Sequence, residues 1–173
     1  MTHEEVILFM LENEYWIIKR DNLLTKELSN IISNKKYVQG FMNSALNSKS
    51  EKAITAAVTM YWLCYERIDL EKEFNKLIIS PYHKSHQTLI KHLQDKLKYP
   101  SSVNYIKIAL TSNFDYLQYT YSEDGVIAKW FSHALLAINT KASIDLIKEF
   151  TQSENLEINE EMKYRLSKIT TSN

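Results

Sequence analysis

The chain has 173 residues, and its 21 basic and 21 acidic side chains give a formal net charge of zero. This length is enough for one domain with its own core, and a neutral chain has no overall field that would attract nucleic acid or a membrane. Because two glycines and two prolines are too few for the hairpins of a sheet protein, the composition predicts a single all-α domain over residues 1–173.

The first apolar pattern predicts a helix from His3 to Lys19, with Thr2 as its N-cap and Glu5 completing a capping box. Glu4 and Glu5 precede the apolar stretch, which is unlike the basic leader of a signal peptide. No apolar run approaches the roughly 20 residues that span a bilayer. We therefore expect a cytoplasmic protein that does not engage a membrane.

Four more helices are predicted before residue 80. An apolar stripe over residues 23–32 forms the second helix, and Gly40 is expected to interrupt the third early. Ser50 then caps the segment EKAITAAVTMYWLCYERI, whose apolar character on all sides predicts a buried helix. Asp69 is expected to cap a short amphipathic helix that stops before Pro81.

The second half of the chain repeats itself at an offset of 41 residues. Residues 89–112, LIKHLQDKLKYPSSVNYIKIALTS, align with residues 130–153, WFSHALLAINTKASIDLIKEFTQS. The identical pairs are His92 with His133, Ser102 with Ser143, Ile106 with Ile147, Lys107 with Lys148 and Ser112 with Ser153. Each copy predicts two helices joined by a tight corner, and two helices in about 40 residues is the size of HEAT and armadillo repeats.

The last predicted helix, from about Leu156 to Ile169, is rich in charge, which suits the terminal cap of a repeat stack. Together these patterns predict helical hairpins over residues 1–80. They also predict HEAT-like repeats with a capping helix over residues 84–170. Such units bury their apolar faces by stacking into an α-solenoid.

The corner YPSSV, the aromatic loop and the segment AKWFSHALLAINTKASIDLIKEFTQSENLEINEEMKYRL resemble HEAT-repeat proteins of bacteria over residues 84–170. The family's usual Gly-Thr-Pro-Glu-Ala-Ile turn is replaced by Asn139-Thr140-Lys141-Ala142, so its glycine and proline are absent. Several such proteins are immunity proteins of polymorphic or contact-dependent growth-inhibition toxins. The resemblance implies that this chain binds a cognate toxin, one to one, and blocks its active site.

An aromatic and acidic stretch, FDYLQYTYSEDG at residues 114–125, links the two repeats and contains no basic residue. Phe114 and Leu117 are expected to seal the gap between hairpins. Nuclease toxins have basic clefts, and a protein that plugs one needs carboxylates for steering and aromatic rings for anchoring. The candidate partner-binding residues are Tyr116, Tyr119, Tyr121, Glu123, Asp124, Glu157, Glu160 and Glu161.

The acids of this set also have structural interpretations. Asp124 is expected to cap the next helix. The acid pairs 123–124 and 160–161 are predicted to be solvated helix starts rather than the catalytic carboxylates of a glycosidase.

The histidines and the cysteine allow other chemistry. His83 and His86 have a spacing that could bind zinc, but without further ligands an exposed helix start is favoured. His92 and His133 are predicted to share one packing role, the alternative being that both line one groove. Cys64 is predicted to be a buried, inert thiol. Since no nucleophile elbow, phosphate-binding loop or HExxH motif is present, we expect no enzymatic activity and no cofactor or metal.

Two other functions stay open at this point. The chain could be a HEAT-like scaffold for a different protein. It could also be a HEAT-like DNA-binding or DNA-modifying protein, because Lys84, Lys91 and Lys98 recur every seven residues beside Tyr82 and Tyr99 and are predicted to share one helix face. A solvated lysine face is the interpretation that a neutral chain favours, so nucleic acid is not expected as a partner.

Overall fold

The computed structural model describes residues 2–13, 18, 26–120 and 123–170. In these ranges the regular structure is helical throughout, with ten α-helices and no strand, so the all-α prediction is confirmed. The chain divides into two compact units, Met1–Lys84 and Ser85–Asn173. This division falls where the predicted hairpins of residues 1–80 give way to the predicted repeats. That the two units form a single domain stays a prediction.

The helices of the first unit are α1 (His3–Glu12), α2 (Lys26–Ser33), α3 (Lys35–Ser48), α4 (Glu51–Cys64) and α5 (Glu71–Leu77). The predicted capping box starts α1: Thr2 Oγ1 accepts from the Glu5 N–H at 3.2 Å, and Glu5 Oε2 accepts from the Thr2 N–H at 2.6 Å. The prediction that this helix continues to Lys19 is wrong, because the extended backbone of Asn13 ends it. Residues 14–17 and 19–25, with part of the second apolar stripe, lie outside the described ranges.

Helix α4 is the core of the first unit and contacts α1, α2 and α3. The predicted cap is present, because Ser50 Oγ accepts from the Ala53 N–H at 3.4 Å. The side chains of Tyr61 and Cys64 are fully buried, and burial raises the pKa of the Cys64 thiol to about 12. The prediction of a buried, unreactive thiol is therefore confirmed. Gly40 does not interrupt α3, which runs through it, so that prediction is wrong.

The end of the first unit is held by two polar side chains. The expected cap of α5, Asp69, lies one residue before the N-cap, which is Leu70, but Asp69 Oδ1 accepts from the Glu71 N–H at 3.2 Å and so still supports the start of the helix. His83 was expected to be exposed but is 3% exposed, with Nε2 2.8 Å from the carbonyl oxygen of Leu77. The Leu77 carbonyl lies at the end of α5, where it also accepts from the Ser80 N–H at 3.0 Å, and this position lets His83 pair with it while buried. Burial lowers the pKa of His83.

The second unit contains α6 (His86–His92), which continues into a π-helical turn (Leu93–Leu97), then α7 (Ser102–Thr111), a 3₁₀-helix (Asp115–Thr120), α8 (Asp124–Ile138), α9 (Lys141–Phe150) and α10 (Leu156–Thr170). The repeat offset recurs in the backbone. Lys98 and Asn139, which are 41 residues apart, both have a φ of 50° and end the first helix of each predicted hairpin. The fully buried Ser102 and Ser143 lie in the first turn of each second helix.

Helix α8 is central to the second unit. It packs against α6, the π-helical turn, α7, α9 and α10, and α9 also contacts α7 and α10. Its inward side carries Ile127, Phe131 and Leu135, all fully buried. The last helix, predicted from Leu156 to Ile169, begins and ends within a residue of that prediction. The packing places α10 directly along α8, and the candidate site lies between these two helices.

Candidate functional site

A groove of about 510 Å³ opens between α8 and α10 in the second unit. Its lining residues are Glu123, Gly125, Val126, Lys129, Glu157, Glu160, Glu161 and Tyr164. We call this set the acidic groove. Four of the eight predicted binding residues meet here although they come from two segments more than 30 residues apart in sequence. The structure thus brings the acids of the predicted loop and those of the last helix to one place.

Asn155 sets the start of α10 and links it to α8. Its Oδ1 accepts from the N–H groups of Glu157 and Ile158, each at 3.1 Å, which satisfies two of the donors that a helix start leaves free. Its Nδ2 donates to Asp124 Oδ2 at 3.0 Å. Asp124 was predicted to cap α8 and does not, because its carboxylate receives this hydrogen bond from Asn155.

The carboxylate that caps α8 comes from α10. Glu157 Oε2 accepts a hydrogen bond from the Gly125 N–H, and a negative charge at this end of a helix also interacts favourably with the helix dipole. Gly125 makes room for this contact, since a Cβ at that position would lie 3.1 Å from Glu157 Oε2. Glu157 therefore has a structural role as well as a place in the groove lining.

The two glycines of the chain provide a matched test of this contact. Alanine is more favourable than glycine inside a helix by about 0.5–1 kcal/mol. Around Gly40 a Cβ would meet nothing within 4 Å, so we expect Gly40→Ala to raise the free energy of unfolding by about that amount. Gly125→Ala should raise the free energy of unfolding by less than this, or lower it. The added Cβ forces Glu157 away from the Gly125 N–H that Glu157 caps. Urea denaturation of both variants measures the difference, and equal gains at the two sites would disprove the close contact.

Glu161 belongs to a buried polar network between α8 and α10. Its Oε1 accepts from Ser132 Oγ at 2.5 Å and from Arg165 Nη2 at 2.7 Å, and Arg165 Nε donates to Ser132 Oγ at 3.3 Å. Arg165 is 5% exposed, and the Glu161 side chain is 13% exposed. The prediction that Glu161 is solvated is therefore wrong, because the buried guanidinium of Arg165 draws its carboxylate inward.

Glu123 and Glu160 differ from the other acids of the groove. Both are exposed, and neither side chain has a hydrogen bond or ion pair with any described part of the chain, so they are solvated as predicted. Tyr164 and Val126, at 52% and 45% exposure, line the same groove. Sequence reasoning missed both. The spacing of Tyr164, four residues after Glu160 and therefore on the same helix face, is the signal that could have revealed it.

Of the predicted tyrosines, Tyr116 and Tyr119 lie apart from the groove lining. Tyr119 Oη is 2.9 Å from His86 Nδ1 and accepts from the His86 N–H at 3.4 Å, while the Tyr116 ring meets the His86 ring edge-on at 5.3 Å. Burial raises the pKa of both tyrosines. The expectation of an exposed His86 is wrong, since these contacts bury it completely. Tyr121 lies outside the described residues, and partner binding by the tyrosines stays a prediction.

The rest of the aromatic stretch is packing. Phe114 and Leu117 are fully buried, which confirms that they seal this part of the unit, and the Phe114 ring stacks on Phe131 at 5.6 Å. Part of this linking stretch forms the 3₁₀-helix over Asp115–Thr120. Phe114 enters it with a φ of 61°, a conformation that is strained for a bulky side chain.

The predicted lysine face is absent. Lys84 precedes α6, Lys98 follows the π-helical turn in a left-handed conformation, and Lys91 pairs with Asp95 at 2.9 Å. A regular seven-residue spacing fails to align these lysines because only Lys91 lies in α6. His133 is half-buried, and its pKa is lowered by burial and by Arg165. Whether His92 and His133 share one packing role stays a prediction.

Comparisons with family models, with curated proteins and with solved structures found no match to this chain. Over the described ranges, no three or more histidine, cysteine, aspartate or glutamate side chains are grouped so that they could hold a metal ion. No helix in that part of the chain combines the length and apolar character needed to cross a bilayer. The functional interpretation therefore rests on the acidic groove.

Proposed function

We propose that this chain is a protein-binding module and that the acidic groove holds a basic surface of its partner. The observation that carries the proposal is the pair of unengaged carboxylates, Glu123 and Glu160, beside the exposed side chains of Tyr164 and Val126. Carboxylates of this kind attract and orient a cationic partner, whereas exposed aromatic side chains supply buried area once the complex forms.

The acids of the groove divide into two roles. Glu157 and Glu161 hold α10 to α8 through Gly125 and Arg165, and Asp124 holds Asn155. Their charges add to the negative field of the groove, but their oxygens already accept hydrogen bonds. Glu123 and Glu160 keep all their oxygens for a partner.

Tyr164 is the anchor in this proposal. Its ring lies beside two cations of its own helix, with Lys168 Nζ 5.1 Å and the Arg165 guanidinium carbon 5.6 Å from the ring centroid. These contacts hold the ring in place on the helix surface, so less side-chain entropy is lost when a partner covers it.

The specific form of the proposal is an immunity protein that neutralises a bacterial toxin by occlusion. The resemblance to HEAT-repeat immunity proteins supports it, as does the arrangement of α6, α8 and α10 as neighbours in one row with α7 and α9 in another, which suits HEAT-like stacking. A toxin that cleaves nucleic acid needs a basic cleft to bind phosphate, and the acidic groove is complementary to such a cleft.

The test is a co-purification. The product of the open reading frame next to this gene is expressed with a tag in the presence of the full chain. We expect a stable one-to-one complex, and we expect the chain to suppress the nuclease activity of that product. A neighbouring product that neither binds the chain nor loses activity in its presence would reject the immunity role.

A further inference from the structure

Arg165 is an unusual residue to find in the contact between α8 and α10. An arginine is costly to remove from water, yet this one is 5% exposed, and it reaches across to Ser132 on α8 as well as to Glu161 on its own helix. Ser132 Oγ also donates to Glu161 Oε1. The three side chains therefore form a closed triangle of hydrogen bonds that joins the two helices.

The triangle of hydrogen bonds is better suited to fixing the position of α10 along α8 than to raising the free energy of unfolding. Replacing a buried ion pair with well-packed apolar side chains is often neutral or stabilising, so the pair by itself is weak evidence of a stability role. Ile158 and Met162 supply the fully buried apolar side chains of α10, but apolar contacts have no preferred direction. A slip of α10 by one turn, about 5.4 Å, would break both bonds of the triangle that cross to Ser132 on α8, from Glu161 and from Arg165.

The alignment of α10 determines what faces the groove. Glu157 reaches Gly125 from the first turn of α10, and Glu160 and Tyr164 follow on the same helix. We propose that Arg165 is a positioning residue of the acidic groove: through Glu161 and Ser132 it fixes the register of α10 on α8, and this register places Glu160 and Tyr164 in the groove. The importance of this register for binding rests on the proposed function, whereas the register itself can be measured without a partner.

The test uses the two glycine amides of the chain, which give separate signals in a ¹⁵N–¹H correlation spectrum. The Gly125 N–H reports the register because it bonds to Glu157 across the two helices, and Gly40 in α3 is the internal reference. The double variant Glu161→Met/Arg165→Met keeps apolar bulk but removes the triangle. We expect its Gly125 signal to move to the position that Glu157→Ala gives, while Gly40 stays in place.

An unmoved Gly125 signal in the folded double variant would overturn the proposal. Measuring the unfolding midpoint of the same variant separates a change of register from a loss of stability, because the midpoint can be normal while the signal moves. Should the double variant fail to fold, Arg165→Lys and Ser132→Ala take its place, since each keeps a buried charge pair. In both variants we expect the Gly125 signal to move in the same direction by a smaller amount. The proposal would also be overturned if that signal stayed in place in both variants.

Hexa-arginine is the probe for the groove in the same spectra. We expect it to shift Gly125 in the wild type and to bind the double variant about tenfold more weakly, which corresponds to about 1.4 kcal/mol. If hexa-arginine leaves the wild-type Gly125 signal unmoved, the groove does not bind cationic side chains and the proposed function fails. Spectra of the variants recorded in the absence of hexa-arginine would still test whether the triangle fixes the register of α10.

Discussion

Arg165→Met is expected to lower the free energy of unfolding by about 3–5 kcal/mol, because removing one member of a buried ion pair leaves the other charge without compensation. Here the group left behind is the carboxylate of Glu161, whose side chain is 13% exposed, and Ser132 loses a donor at the same time. The measurement is urea denaturation followed by circular dichroism.

Two further variants control this result. Arg67 is exposed, so Arg67→Met removes the same type of side chain from the surface and should change stability by no more than about 0.5 kcal/mol. The double variant Glu161→Met/Arg165→Met should recover most of the lost stability, because no charge remains unpaired. An Arg165→Met protein as stable as the Arg67→Met control would contradict a buried ion pair at this position.

Phe114→Ala is expected to cost about 3–5 kcal/mol, the usual loss when a fully buried phenylalanine is truncated. The ring is fully buried and lies parallel to that of Phe131, so its removal leaves a cavity beside the central helix α8. Thermal and urea denaturation measure the loss. Ile108→Ala is the matched control, since Ile108 is 51% exposed on α7 and should change stability by about 0.5 kcal/mol or less.

The backbone at Phe114 adds a sharper comparison. Glycine usually destabilises relative to alanine, but a φ of 61° is a conformation that glycine adopts freely and alanine does not. Phe114→Gly should therefore be at least as stable as Phe114→Ala. A Phe114→Ala variant that is clearly more stable than Phe114→Gly would contradict the left-handed conformation at this residue.

Features that depend on neighbouring residues were predictable from the sequence. The capping box of Thr2 and Glu5, the buried helix α4 and the bounds of α10 all follow from contacts between residues a few positions apart. The 41-residue offset also predicted two helix–corner–helix segments, and the paired left-handed residues Lys98 and Asn139 show that the two corners share a backbone conformation.

Features that depend on distant residues were not predictable. The exposure of His86 was wrongly predicted because its partner, Tyr119, is 33 residues away, and that of Glu161 because Ser132 is 29 residues away. The cap of α8 was assigned to Asp124, its own first residue, whereas Glu157 reaches it from another helix. Whether a polar side chain is buried depends on such partners, and a single sequence does not show them.

The candidate site combines features that neighbouring residues determine with features that distant residues determine. The acids around residue 123 and those of residues 157–161 were recognisable from charge alone, but only the packing of α10 along α8 brings them into one groove. The same packing engages Glu157 and Glu161 internally, whereas the side chains of Glu123 and Glu160 make no hydrogen bond or ion pair within the described part of the chain. The same packing places Tyr164 in the groove lining, whereas Tyr116 and Tyr119 lie outside that lining and partner binding by them stays a prediction.

The most direct test of the proposed function is the affinity of the neighbouring gene product for two double variants that carry equal charge. Glu123→Gln/Glu160→Gln removes the two unengaged acids of the groove, and Asp115→Asn/Glu154→Gln removes two exposed acids outside its lining. We predict that the groove variant binds about tenfold more weakly, mainly through slower association, and that the control binds like the wild type. Equal affinity of the two variants for the partner would contradict the acidic groove as the binding site.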